Sequence, residues 1–403
     1  MMTSAVRSLC GALCLALLTG LAWAGKLPDT IIYSPEVLGK TKQRVLERDR
    51  DIMPAYAKLI EQADRALKEP AETVIFKPAP PPGGDQHDYW SLSPYWWPNP
   101  DSRTGLPYVR RDGKRNPAAD SDTYDRARMR RMSSEALTLA LAWYLTENEE
   151  YAGKATALIW SWCCDSVTRT TPHMEFARAI PGISHGTHAG IIETRDLIKV
   201  VEAAQLLEPS RSWSKVVSKK VKKWFGDYVL WLQKSPLGRQ EAMAADTHGT
   251  WFDAQLAVYT LYIGKKNLAR SIIGSLTPRR IAMQIEHNGA IPLELARKRS
   301  RHATFFALEA FFTLAAVGDR VGIDIWQWAD PTGLSIRKAF DYAAPYLATD
   351  EPWPFGTTGN YDPFMFTPLF HRAAMVYKDA RYSEFLKALP ADRLKQDRAQ
   401  LFY

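Results

Sequence analysis

Four stretches of the chain carry side chains suited to chemistry. The run Asp246-Thr247-His248-Gly249-Thr250-Trp251-Phe252-Asp253 opens an apolar, periodic segment. Asp246 or Thr247 is a suitable N-cap there, and the positive potential of a helix start favours anions and a neutral imidazole at His248. Between Asn288 and His302, four cations (Arg297, Lys298, Arg299 and Arg301) fall within five residues. Such a run is a solvated helix face or a carboxylate clamp, because arginine grips carboxylates as a fork. The segment from Pro181 to Thr194 sets His185, His188 and Glu193 among glycines, as at the backbone-lined edge of a cleft. With no third ligand at helical spacing, it does not read as a metal site. Finally, His87-Asp88-Tyr89-Trp90-Ser91 and Pro94-Tyr95-Trp96-Trp97-Pro98 place an imidazole and five aromatics close together after a proline-rich start. On a loop, these aromatics make a stacking wall for sugar rings; otherwise they staple the loop to the core. Phosphate-binding glycine loops, dinucleotide fingerprints and nucleophile elbows are missing from the sequence.

The elements that must hold these groups read as helices. Apolar residues recur at helical spacing over 36–69, where Pro54 divides the stretch, and over 120–148. Further helical patterns cover about 150–164, 190–207, 212–234, 249–263, 265–286, 301–317, 324–348 and 366–388. Strand alternation is weak throughout. Around ten helices without a sheet predict an all-α fold, an α/α toroid or incomplete barrel of antiparallel helix hairpins. A repeat solenoid is the competitor, and it lacks a fixed period. Three irregular stretches interrupt the helices: Lys77–Asn116, about Thr168–Gly186, and Asp350–Asp362. Long loops of this kind often bind ligand.

Composition narrows the partner. Residues 1–24 read as a signal peptide, with Arg7, an apolar run from Leu9 to Leu21, and Ala22-Trp23-Ala24 before Gly25. Residues 25–403 then form a single exported domain, periplasmic or secreted, with no further membrane insertion. The neighbouring Cys163 and Cys164 are two buried thiols rather than a strained disulfide. The formal charge of +8 suits an anionic partner if it is focused. Export makes that partner an anionic polysaccharide rather than nucleic acid, and the chemistry calls for no cofactor.

Taken in their order along the chain, the four stretches resemble the alginate lyase superfamily, nearest the branch described as glucuronan and alginate lyases. Its Tyr-x-Arg-Arg-Asp-Gly-x-x-Asn-Pro motif is matched by Tyr108, Arg110, Arg111, Asp112, Gly113, Asn116 and Pro117. The resemblance spans roughly Tyr33 to Phe312. It implies an α/α toroid and β-elimination at a uronate, in which the sugar carboxylate is neutralised, the C5 proton removed and O4 protonated. His248 and Arg297 match the family histidine and arginine. The family asparagine is replaced by Thr247, and the expected tyrosine by Ala303. An active site must therefore be rearranged, with His248 as base, Tyr89 or Tyr95 as acid, and Arg297 with Arg299 on the carboxylate. His302 or His188 is available in place of the missing tyrosine. The substrate-binding set comprises His87, Trp90, Tyr95, Trp96, Arg110, Arg178, His188, Thr247 and Arg299. Two other readings are a non-catalytic polysaccharide binder and a glycoside hydrolase, which needs two carboxyls from among Asp88, Asp246, Asp253 and Glu294.

Overall fold

Helices of two kinds build the molecule, those buried on every side and those apolar on one face. The computed structural model describes residues 27–348 and 352–403; the expected signal peptide lies outside them. The first helices are α1 (Pro35–Leu46), α2 (Met53–Lys68), α3 (Arg126–Thr146) and α4 (Glu149–Cys163). They are followed by α5 (Ile198–Leu207), α6 (Lys215–Lys234), α7 (Pro236–Ala242) and α8 (Thr247–Tyr262). The third group is α9 (Lys266–Ser271), α10 (Thr277–Gln284), α11 (Pro292–Leu295) and α12 (Ser300–Val321). The chain closes with α13 (Ile336–Ala343), α14 (Thr367–Tyr377), α15 (Arg381–Leu386) and α16 (Ala391–Lys395).

Nearly every residue of α5 and α8 and about two thirds or more of those of α3 and α12 are buried, as expected of helices walled in by neighbours. In contrast, α6 buries Val221, Trp224, Phe225, Tyr228 and Leu232 and turns its lysines outward. α3 packs on α4 and α5, and α8 packs on α5, α6 and α12. The result is the α/α toroid that the sequence predicts, with inner helices backed by amphipathic outer ones.

Pro54 sits in the first turn of α2, where its missing N–H costs nothing, and it divides 36–69 into two helices as the sequence reading has it. Two other boundaries differ from the expected ones. The helix expected over 120–148 begins only at Arg126, after a 3₁₀ turn at Pro117–Asp120. The 324–348 pattern yields only α13 and a 3₁₀ turn, because Pro331 and Gly333 hold the preceding stretch open.

Among the described residues, the weak strand signal corresponds to four short strands: β1 (Trp90–Leu92), β2 (Trp96–Trp97), β3 (Val109–Arg110) and β4 (Phe176–Ala179). β1 and β4 pair in parallel, and β2 and β3 antiparallel. The long irregular stretches therefore meet each other. The C-terminal ends of α4 and α6 and the N-terminal ends of α3, α8 and α12 all join loops that converge on one end of the toroid. Across this end the β2–β3 hairpin touches two rims. Tyr108 N donates to Pro181 O at 3.0 Å, and Lys298 Nζ donates to Asp112 O at 3.2 Å. Among the described residues, no helix is long and apolar enough to cross a membrane.

Candidate active site

The site is organised by a residue that the sequence does not advertise. Glu241, in the last turn of α7, has a side chain only 1% exposed. Its Oε1 lies 2.7 Å from Nδ1 of His248, and its Oε2 lies 2.7 Å from Nδ1 of His188. A carboxylate only accepts, so both imidazoles carry their proton on Nδ1 and leave Nε2 as the reactive nitrogen. Among the described residues, neither Nε2 has a hydrogen-bond partner. Burial pushes the Glu241 carboxyl up, but the bonds and charge of the two imidazoles outweigh it and hold the group below its ordinary value.

Local structure fixes both rings. His248 stands in the first turn of α8, where the Asp246 side chain accepts from His248 N at 3.0 Å and caps the helix. Gly249 is required beside it, because a Cβ would lie 2.1 Å from Ala244 O. His188 begins a 3₁₀ segment, His188–Leu197, that is pressed onto β4. A Cβ on Gly186 would lie 2.0 Å from Glu175 O, so only glycine lets the chain run this close.

A second buried carboxylate lies alongside. Glu193 accepts from Tyr89 Oη at 2.9 Å and Ser91 Oγ at 2.7 Å. Its other oxygen is 3.2 Å from Arg178 Nε and 3.6 Å from Arg126 Nε. Nη1 of Arg126 is buried without a hydrogen-bond partner and faces Asp120 Oδ1 at 4.0 Å, a carboxylate that Arg115 also engages at 2.7 Å, so three guanidiniums share two carboxylates and one unit of positive charge is left over. Arg178 is close enough to feel the charge of Glu241. Its backbone is left-handed (φ 50°), a strained state for a non-glycine residue, and Ser91 Oγ accepts from its N–H at 2.8 Å. Burial lowers the Arg178 pKa, Glu193 raises it and Arg126 lowers it further.

The other expected residues divide clearly. Thr247 is buried, and its N–H donates to Glu294 Oε1 at 3.0 Å. Arg297 is half exposed near His248, with Nη1 3.3 Å from Asp246 Oδ2. Arg299 is latched to Asn360 O at 3.1 Å in the described part of the third irregular stretch. Tyr95 and Trp96 are half-buried in the hairpin, Arg110 is exposed beside Asp112, and Trp90 packs edge-on against Tyr124. Tyr89 is fully enclosed behind Glu193, so the expectation of a loop tyrosine reaching substrate is corrected for this residue. His87 Nδ1 donates to Arg169 O at 2.7 Å and lines a separate cavity of about 520 Å³ against α4 and α6. None of Glu241, His188 and His248 lines that cavity. His302 lies between Phe306 and Phe366, where burial and then the Arg299 and Arg195 charges lower its pKa to about 4.

Sequence reasoning missed Glu241, Arg126 and Arg195, and it gave Ser91, which ends the first aromatic stretch, no role of its own. Arg195 lies over both Trp251 and Phe306. Glu241, Arg126 and Arg195 belong to no local motif; only tertiary contact reveals them.

The four carboxyls considered for hydrolysis are committed elsewhere. Asp88 faces His173 at 3.0 Å, and Asp253 is buried on Arg280 at 2.7 Å. Glu294 is buried with Oε1 on Thr247 N and Oε2 without a hydrogen-bond partner, and Asp246 caps α8 and pairs with Arg297. No facing pair of free carboxyls remains among them.

The α/α toroid thus carries two imidazoles on one buried carboxylate and, nearby in the same network of charges, clustered guanidiniums. Residues 74–353 match the alginate lyase family model, and the chain belongs to that family. An alginate lyase from Bacteroides ovatus is 33% identical, with 94% of this chain and 99% of that one covered at a TM-score of 0.88. Alginate lyase A1-III from Sphingomonas species A1 shares the fold at 15% identity, covering 87% of this chain and 95% of that one at a TM-score of 0.50. A variant of A1-III in complex with a tetrasaccharide matches at 16% identity and a TM-score of 0.50, covering 73% of this chain and 83% of that one. No functionally curated sequence matches the chain. Family membership supports a polysaccharide lyase.

Proposed function

We propose that the protein cleaves an anionic, uronate-containing polysaccharide of the alginate or glucuronan type by β-elimination. One observation carries this reading: buried Glu241 holds His248 and His188 by Nδ1 and leaves each Nε2 unbonded, with the Arg178 guanidinium close enough to interact with the charge of Glu241. The C5 proton of a uronate is very weakly acidic until its carboxylate is neutralised and the developing charge is stabilised. Arg178 and Arg126 supply fixed positive charge inside the site, and Arg297 supplies it at the rim. His248 Nε2 takes the C5 proton while Glu241 holds the ring and stabilises the imidazolium that forms. The half-buried hairpin aromatics Tyr95 and Trp96 give neighbouring sugars an apolar face. Removal of residues 1–24 as a signal peptide would place the enzyme in the periplasm or outside the cell, where such polymers lie.

The test is near-ultraviolet absorbance of the unsaturated uronate, with mature protein incubated on alginate, polymannuronate, glucuronan and hyaluronan. A rise identifies both the reaction and the polymer. Reducing ends without absorbance would establish hydrolysis instead. Salt-sensitive binding with neither signal would establish a non-catalytic binder.

A further inference from the structure

We propose that His188 is the acid that protonates the departing O4, the proton transfer that Ala303 cannot perform. The inference rests on the β-elimination reading above. His188 and His248 hold equivalent places, each donating from Nδ1 to its own oxygen of Glu241 at 2.7 Å. They differ in exposure: the His248 side chain is 12% exposed and that of His188 33%. The deeper ring suits abstraction of a proton from carbon, and the more open one suits exchange with water. The other candidates are badly placed. Tyr89 is enclosed and its hydroxyl is spent on Glu193. His302 is wedged between two phenyl rings, away from Glu241.

The groups around the pair come from several elements. Glu241 lies on α7, Arg178 on β4, Tyr228 on α6, Asp246 and Glu294 at the starts of α8 and α11, and Glu193 with Arg126 behind Arg178.

The step balances. The step requires His188 to start as the imidazolium and His248 as the neutral base. His248 Nε2 takes the C5 proton, the C–H electron pair forms the C4=C5 double bond, and the C4–O4 bond breaks. The O4 oxygen takes the proton from His188 Nε2. Glu241 therefore faces one imidazolium before and after, so a buried carboxylate never has to change its compensation. Exchange with water returns His248 to neutral and reloads His188.

The experiment compares two leaving groups. A polymeric uronate needs a proton on O4, whereas a synthetic uronide carrying fluoride at C4 does not. His188→Gln is expected to lose about 100-fold or more of kcat/KM on polymer and to change less than about threefold on the fluoride. His248→Gln is expected to lose both. Equal losses on the two substrates in His188→Gln, or no loss on either, would overturn the assignment. In the wild type, the alkaline limb of the pH–rate profile is expected with polymer and absent with fluoride. The same limb on both substrates would also overturn it, without relying on any variant. A wild type that releases neither unsaturated product nor fluoride would instead sink the lyase reading, and this proposal with it.

Discussion

Nδ1 of His248 lies 2.7 Å from Oε1 of Glu241, a carboxylate almost sealed from solvent. This contact sets the tautomer of the base. Glu241→Gln keeps the shape but can present an amide N–H to one of the two rings, which forces that ring into the wrong tautomer. Turnover is expected to fall by about 100-fold or more, with KM changed far less. Steady-state kinetics on the polymer that wild type cleaves checks this, and an unchanged kcat would remove Glu241 from the machinery.

Tyr89 is placed behind the site rather than in it. Its hydroxyl donates to buried Glu193, which two guanidiniums also engage. Tyr89→Phe removes one bond to a charged acceptor, with an expected stability loss of about 1–3 kcal/mol by denaturant melting. Because the residue does not reach substrate, kcat should drop less than about tenfold. A loss as large as that of a His248 variant would restore Tyr89 as a proton donor.

Asp246 holds Arg297 at 3.3 Å while it caps α8. Asn caps a helix about as well as Asp, so Asp246→Asn should leave stability nearly unchanged. It would free Arg297 and remove a negative charge from the path of an anionic chain. The expected outcome is a lower KM, with the gain shrinking as salt is raised. A higher KM would show that Asp246 itself engages the sugar.

These cases show which parts of the molecule are legible in sequence. Amphipathic α6 and the apolar runs of the inner helices follow directly from spacing, and so does the toroid. His248 and Arg297 stand where ordered motifs put them, each near a helix start. Glu241 has no such signature. α7 is only seven residues long, too short for a period, and Glu241 meets His188 across 53 residues of chain. His188 is legible as a substrate-binding residue and as one of two stand-ins for the missing tyrosine, but its link to His248 through Glu241 is not. Tyr89 belonged to an aromatic cluster with two readings, sugar wall or staple. It is a staple, because the parallel pairing of β1 with β4 encloses it.

Far from the site, Glu202 on α5 ties down the N-terminal segment by accepting from the backbone N–H groups of Ile31 and Ile32 at 3.0 Å and Tyr33 at 3.4 Å. Burial raises its pKa to about 7, and these hydrogen bonds offset that only in part. An acid with a raised folded pKa binds more protons folded than unfolded between the two values. Stability therefore falls as pH rises from about 4.5 to about 7, and the penalty is complete above that. With the carboxyl this deeply buried, the loss is on the order of 3 kcal/mol. The melting temperature is expected to be higher near pH 5 than near pH 8. Glu202→Gln, which cannot ionise, should flatten that difference while losing some of the backbone bonds at both pH values. A pH dependence that persists unchanged in Glu202→Gln would place its origin in another buried carboxyl, with Glu309 the first to examine because burial raises its pKa as well.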